Sequence, residues 1–308
     1  MADAILTQAR FQDENAARKH LEALRWPTGA ICPHCGSTDR NSKLNGDSHR
    51  DGLYFCGDCR SQFSVTVGTV FERSKIPLHK WLMATHLMCS SKKGISSKQI
   101  ERMLGVTYKT AWFMTHRIRE AMKPSGGGMF GTGGKIVEAD ETFYGSKLGS
   151  VKRKGGFAHK EAIFSLVERN GSVRSFHVPD VTATTLKEKL IAHVAKDARL
   201  MTDGGGQYRK TKQDYPKHET VNHAAGEYAR GDVTTNTIEG FFGIFKRGMF
   251  GVYQHRSSHH LGRYTTEFDF RYNNRIALGV TDTQRTDEAL KGIGGKRLTY
   301  RRTGEAQA

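Results

Sequence analysis

Ile136-Val-Glu-Ala-Asp140 is the stretch on which the fold turns. Its alternation of apolar and acidic residues predicts a short strand ending on a carboxylate. Outward from it, segments 161–168 and 172–178 predict two more strands, joined across Asn170-Gly171, a pair suited to a hairpin turn. From Thr182 to Lys196 the period changes, with Leu186, Leu190 and Val194 at i, i+4 and i+8, and the pattern predicts a helix. Arg199-Leu-Met-Thr-Asp203 repeats the first motif, a strand ending on an acid, and three glycines follow it. Thr220–His223 predicts one more strand, and Thr235–Met249 an amphipathic helix that carries Glu239. Leu261, Tyr264, Phe268 and Tyr272 then mark the buried face of a later helix. Residues 135–280 thus read as one α/β domain.

Two strands that end in Asp and a helix that supplies Glu would gather Asp140, Asp203 and Glu239 at one place. Hard oxygen ligands of this kind hold Mg²⁺, and a pair of such ions can activate an attacking oxygen and stabilise a leaving one. Two further acids compete for the first position. Alternation sets Glu138 on the face of Asp140 and turns Glu141 to the other side. Asn236 lies three residues before Glu239 and Lys246 seven after it, all on one helix face.

Upstream, residues 124–134 contain six glycines and a proline, the composition of a flexible linker. Residues 76–123 precede it and read as three helices. The first, around His79–Ser91, puts Leu82, His86 and Cys89 on one face. A short second helix, capped by Ser96 or Ser97, carries Ile100, Met103 and Leu104 on its inner side. Gly105 supplies a left-handed turn before a longer helix with Ala111, Met114 or Thr115, Ile118 and Met122 inward. This is the layout of a helix-turn-helix, which would set Tyr108, Lys109 and Thr110 at the reading end of the second helix. An ordinary three-helix bundle has the same pattern. Charge separates the two readings: residues 60–124 hold twelve Lys and Arg against three Asp and Glu, and each cation on a phosphate releases condensed counterions.

Residues 11–66 form an N-terminal segment with four of the five cysteines, Cys32-Pro-His-Cys35 and Cys56-Gly-Asp-Cys59. Two Cys-x-x-Cys turns present four thiolates to one ion, so they predict one structural Zn²⁺ with a closed shell. Gly36 and Gly57 suit the tight turns, and 53–55 and 62–65 the strands of a zinc ribbon. Two disulfides are the competing reading. Cys89 is left as a small buried hydrophobe.

The whole chain of 308 residues has a net charge of +17, which points to an anionic partner, nucleic acid before a membrane surface. No window approaches the roughly 18 apolar residues of a membrane helix. The first ten residues lack the basic and apolar regions of a signal peptide. A basic loop (Lys147, Lys152, Arg153, Lys154, Lys160) joins the first two strands of the α/β domain, a second candidate DNA contact. Residues 281–308, with Lys296, Arg297, Arg301 and Arg302, read as a mobile basic tail. His255, His259 and His260 have no acid spaced to work with them and read as surface or packing residues.

Together these segments describe an α+β multidomain protein: zinc ribbon, helical helix-turn-helix module and ribonuclease-H-like α/β catalytic domain. From about Phe11 to Arg275 the chain resembles bacterial insertion-sequence transposases of the ISXO2-like kind, with an N-terminal zinc ribbon and a DDE-type domain. The resemblance is carried by Arg25-Trp-Pro27 with the first cysteine pair, Tyr54-Phe-Cys-Gly-Asp-Cys-Arg60, Val67-Gly-Thr-Val-Phe71, Pro77-Leu-His-Lys-Trp81 and Gly105-Val-Thr-Tyr-Lys-Thr-Ala-Trp112. In the second half it rests on Ala139-Asp-Glu-Thr142, Thr202-Asp-Gly204, Asn236-Thr-Ile-Glu-Gly240, Phe245-Lys-Arg-Gly248 and Phe268-Asp-Phe-Arg-Tyr-Asn273.

The resemblance implies an enzyme that cuts its element's inverted-repeat ends and joins the 3′-hydroxyls to target DNA. Asp140 and Asp203 would be the first two acids and hold two Mg²⁺ or Mn²⁺ ions. The third family position is Glu or Asn, which here means Glu239 or Asn236; Glu239 brings the charge. Lys246, with Arg247 beside it, matches the family's basic residue and would contact DNA phosphate. Relatives often have His where this chain has Thr234. Double-stranded DNA, a homodimer or larger assembly on it, and a bacterial cytoplasmic, nucleoid-associated setting follow from the same resemblance. Two other functions fit parts of the pattern: a zinc-ribbon DNA-binding regulator, and a nuclease or resolvase without strand transfer.

Overall fold

The computed structural model describes residues 4–147, 149–150, 156–254 and 256–299. The chain divides into two compact units. The first comprises Met1–Ser91, Ile95–Lys123 and Thr281–Ala308, and the second Lys92–Gly94 and Pro124–Val280. Among the described residues no helix is long and apolar enough to cross a membrane.

In the first unit, helix α1 (Glu14–Arg25) is capped by Asp13, whose carboxylate accepts the Ala16 N–H. It leads into a three-stranded antiparallel sheet of β1 (Asn41–Lys43), β2 (Tyr54–Cys56) and β3 (Gln62–Phe63). The second and third strands fall where the alternation predicts them; the first, three polar residues long, has no hydrophobic signal. Trp26, Tyr54 and Phe63 stack beside this sheet with ring centroids 5.4–5.7 Å apart, a small core for so short a ribbon.

Helices α2 (Leu78–Ser90), α3 (Ser97–Leu104) and α4 (Tyr108–Ala121) follow. Gly105 has φ +60° and ψ +44°, so the turn between α3 and α4 uses the left-handed conformation a side chain resists. Ser96 caps α3 and Thr107 caps α4 through the N–H groups of Gln99 and Thr110. The expected inner residues are buried except Met103, which is exposed; eight residues of α3 need only Ile100 and Leu104 to seat it.

Two expectations are corrected. Residues 281–308 are not simply a basic tail: Asp282–Lys291 forms helix α8, packed on α2 within the first unit. Thr281 and Gln284 make a reciprocal capping box, and Ala289, Leu290 and Ile293 are buried. Lys296 donates to the Ala121 carbonyl at 3.1 Å. Arg301 and Arg302 lie outside the described residues. The linker 124–134 is also only partly a joint. Phe130 is buried and exchanges backbone hydrogen bonds with His193 and Ala195. A Cβ on Gly131 would stand 2.3 Å from that of Ala198, so glycine there permits close packing as well as bending.

The second unit is built on a five-stranded mixed sheet: β4 (Ile136–Tyr144), β5 (Glu161–Glu168), β6 (Val173–Val178), β7 (Arg199–Asp203) and β8 (Glu219–Val221), in the order β6-β5-β4-β7-β8. β4, β5 and β6 are antiparallel, whereas β7 and β8 run parallel to β4. Asn170 takes φ +58° in the β5–β6 turn. One face packs on helix α5 (Ala183–His193) through Leu186 and Leu190. A short hairpin, β9 (Ala229–Arg230) with β10 (Val233–Thr234), leads into helix α6 (Asn236–Gly248). α6 and helix α7 (Leu261–Asn273) cover the other face, where Ile238, Phe241, Phe245, Leu261 and Phe268 share one apolar cluster. This is the α+β arrangement expected of the sequence, with β4 at the centre of the sheet.

Candidate active site

The strand register brings the acids together. Glu138 pairs with Met201 across the parallel β4–β7 ladder, so Asp140 and Asp203 sit level two residues further on. Both side chains are partly buried, Asp203 at the end of β7 and Asp140 at the middle of β4, which continues past its expected end to Tyr144 because residues 141–144 stay paired with β5. α6 adds Glu239 from its first turn. Burial chiefly, then the negative charges of Glu141, Asp203 and Glu239, push Asp140 up to about 8, although the Glu141 N–H donates to its Oδ1 at 2.7 Å. Asp203 accepts the Gly205 N–H at 3.0 Å. Glu239 is held from one side by the Thr235 hydroxyl at 2.9 Å, and His223 Nε2 lies 3.6 Å from the same oxygen.

The neighbouring acids have other tasks. Glu138 is fully buried and receives hydrogen bonds from Arg169 Nε (2.6 Å), Thr237 Oγ1 (2.9 Å) and the Ile238 N–H (2.9 Å). A carboxylate is thus fixed against the first turn of α6, where the helix dipole favours negative charge. Arg169 also reaches the carbonyls of Asp232 and Thr234, so one guanidinium ties the hairpin to the sheet. Glu141 turns to the opposite face, as alternation predicts, and accepts from Tyr208 at 2.7 Å and from Gln207. Burial raises its proton affinity, and the Tyr208 hydrogen bond opposes the rise.

Removing the charge of Glu138 should therefore loosen the end of α6 that carries Glu239. Glu138→Gln is expected to cost about 3 kcal/mol, the typical loss when one partner of a buried ion pair is removed. Urea unfolding measures it, and an unchanged midpoint would exclude the clamp.

Asn236 is exposed at the start of α6, and its N–H is accepted by the Thr234 hydroxyl at 3.0 Å. Thr234 therefore holds the backbone just ahead of the helix, whose N-cap is Thr235, while an imidazole approaches Glu239 from His223, a residue to which no spacing pointed. Lys246 and Arg247 are exposed in the last turn of α6; Lys246 is about 10 Å along the axis from Glu239 on the same face. Lys147 donates to the Pro179 carbonyl and Lys160 lies over the Phe157 ring. Lys152, Arg153, Lys154 and His255 lie outside the described residues.

In the first unit Cys32, Cys35, Cys56 and Cys59 place their sulfur atoms within 4.8 Å of one another. Cys32 and Cys59, and Cys35 and Cys56, are 3.6 Å apart, close to the ~3.8 Å edge of a tetrahedron with ~2.3 Å Zn–S bonds. None is in a disulfide, and the four are arranged to bind a zinc ion. The two knuckles turn at Gly36 (φ +79°) and Arg60 (φ +57°), each following the second cysteine. Gly57, expected to make the second turn, instead lets the chain pass close to Arg40, whose carbonyl accepts its N–H at 2.7 Å. The carboxylates form no cluster so tight; among the described residues the cysteines alone do. Tyr108 and Lys109 are exposed at the start of α4, Thr110 partly so, and Lys98 lies over the Tyr108 ring at 4.8 Å.

Residues 132–273 match the model of the ISXO2-like transposase domain, and residues 12–62 that of the transposase zinc-ribbon domain. The chain carries an ISXO2-like transposase domain behind a transposase zinc ribbon. A relative, described as an uncharacterized protein in transposable element ISH50 of Halobacterium salinarum, is 28% identical over 257 residues, covering 78% of this chain and 84% of its own length. This transposase carries its zinc ribbon and its DDE-family domain in the order the resemblance implied.

Proposed function

We propose that this transposase cuts DNA at the ends of its element and joins the freed 3′-hydroxyls to target DNA, with Asp140, Asp203 and Glu239 holding two Mg²⁺ or Mn²⁺ ions. The observation that carries the proposal is the convergence of three carboxylates from β4, β7 and α6, where burial chiefly, and then the charges of Glu141, Asp203 and Glu239, raise the proton affinity of Asp140. Such a set of oxygen donors fits a hard divalent cation, which relieves the same repulsion. Bound there, the ions supply activation of the attacking oxygen and neutralisation of charge on the leaving one.

The protein's own share is positional. In this reading Asp140, Asp203 and Glu239 would together hold the two ions. Asn236 is the alternative third ligand, but an amide adds no charge. Thr235 and His223 fix the Glu239 carboxylate, and the Glu138–Arg169 clamp fixes the helix beneath it. Lys246 and Arg247 take phosphates along α6. Tyr108, Lys109 and Thr110 enter the major groove of the terminal repeat, and two chains or more pair the two ends.

The test uses purified protein, a plasmid carrying the element's ends, and Mg²⁺ or Mn²⁺. Wild type is expected to give metal-dependent cut and joined products, and Asp140→Ala neither. Cutting without joining would favour a nuclease or resolvase; DNA binding with no cutting by either protein would favour a regulator.

A further inference from the structure

A cleft of about 420 Å³ lies at the far end of β4, lined by Tyr144, Gly145, Ser146, Gln254, Arg256 and Ser257. Arg256 is its chemically loaded member. Its guanidinium lies over the Tyr144 ring, 4.4 Å from the centroid. Its Nε and Nη2 are buried and have no hydrogen-bond partner among the described residues. These two nitrogens form one edge of the guanidinium, the edge that grips a phosphate or carboxylate with two parallel bonds. Glu161 adds its charge to the surroundings of Arg256, but its carboxylate accepts from His177 Nε2 at 2.7 Å.

The backbone is shaped around this side chain. Gly145 has φ +62°, and a Cβ there would stand 3.1 Å from Arg256 Nη2. A π-helical turn (Met249–Tyr253) and Gln254 at φ +42° carry the chain to the other wall, local irregularities that structures keep mainly where they serve a site. The Tyr144 hydroxyl donates to the Met249 and Gln254 carbonyls at 3.2 Å each, closing the floor. Ser146 and Ser257, both exposed, bring hydroxyl donors to the rim.

Tyr144 is four residues from Asp140 and so on the same face of β4, about 13 Å further along the strand. That is roughly the rise of four base pairs of duplex.

We propose that this cleft is a phosphodiester subsite, in which Arg256 with Ser146 and Ser257 takes a backbone phosphate of DNA lying across the carboxylates. It rests on the DNA-cutting reading, and it gives that reading a register: a grip on the backbone a few base pairs from the reacting phosphate. A cationic edge without an acceptor is costly to bury, and a phosphate oxygen pair supplies the acceptor.

The experiment measures affinity for a duplex carrying the element's end as a function of salt, with the full chain as wild type, Arg256→Gln and Ser146→Glu. Ser146→Glu leaves the Arg256–Tyr144 stack in place, so it keeps the test valid if Arg256→Gln folds poorly. Each variant is expected to bind about tenfold more weakly and to lower the slope of log K against log salt by about 0.9, one phosphate contact. Wild-type slopes in folded variants would overturn the subsite and leave the DNA-cutting reading standing. A wild type that does not bind duplex would overturn both. If inorganic phosphate stabilises wild type but not Arg256→Gln while the DNA slopes stay equal, the cleft serves a free anion and the proposal also falls.

Discussion

Asp203→Asn is expected to lower DNA cutting and joining at least about a thousandfold while leaving DNA affinity within about twofold of wild type. The first figure corresponds to roughly 4 kcal/mol of transition-state stabilisation, a modest demand on a residue that would hold one of the two catalytic ions. The second follows from placement: Asp203 is a single partly exposed carboxylate on β7, and its neutralisation removes a repulsion from the phosphate backbone rather than an attraction. The substitution is nearly isosteric, and the Gly205 N–H that Asp203 accepts at 3.0 Å can be accepted by an amide oxygen, so the turn after β7 survives. Gel assays of cut and joined products beside a binding titration check both halves. Activity within tenfold of wild type would remove Asp203 from the metal site. A matching loss of binding would mean that the turn, and not the ion, had been damaged.

Strands β4 and β7 were legible because their apolar runs carry the period of a strand; β7 ends on Asp203 as read, whereas β4 continues four residues past Asp140, held by its pairing with β5. Glu239 was legible through the amphipathic period of α6. What held these residues in place was not. Arg169 sits in a hairpin turn, 31 positions from the Glu138 it clamps, and nothing local marks a turn arginine as buried against a helix end. His223 reads from the sequence as the last residue of a strand, but β8 stops at Val221 and His223 opens a short 3-10 turn, so the strand pattern gives it no role. The same limit explains Arg60, since a knuckle turn is expected to use glycine and here uses arginine in the left-handed region.

Helix α8 is the different case. Its capping box, Thr281 with Gln284, and its apolar Ala289, Leu290 and Ile293 were in plain sight, but the basic residues after them drew the reading toward a tail. Charge told of a partner and hid a packing surface. Its return to the first unit also shows why a linear list of domains fails for this chain: the unit is closed by residues from both ends.

Cys56→Ser is expected to abolish zinc binding, from about one ion per chain to none, and to unfold the ribbon while the second unit keeps its structure. The ribbon's apolar core is essentially Trp26, Tyr54 and Phe63 around three strands of two or three residues, far below what sustains a fold alone. Structural zinc supplies about 10–16 kcal/mol in peptides of this kind, so losing one of four thiolates removes most of the stability the module has. Cys56 is fully buried, and a serine hydroxyl there is a poor ligand at neutral pH. Limited proteolysis should then cut between residues 26 and 66 in the variant and not in wild type. The two kinds of metal can be told apart in the same preparation. Once a strong chelator has stripped the protein, Mg²⁺ alone should fail to restore cutting of the element's ends, and Zn²⁺ followed by Mg²⁺ should restore it. Recovery with Mg²⁺ alone would mean that the ribbon keeps its DNA-facing shape without the ion, and that four cysteines within 4.8 Å of one another do not stabilise the module through zinc.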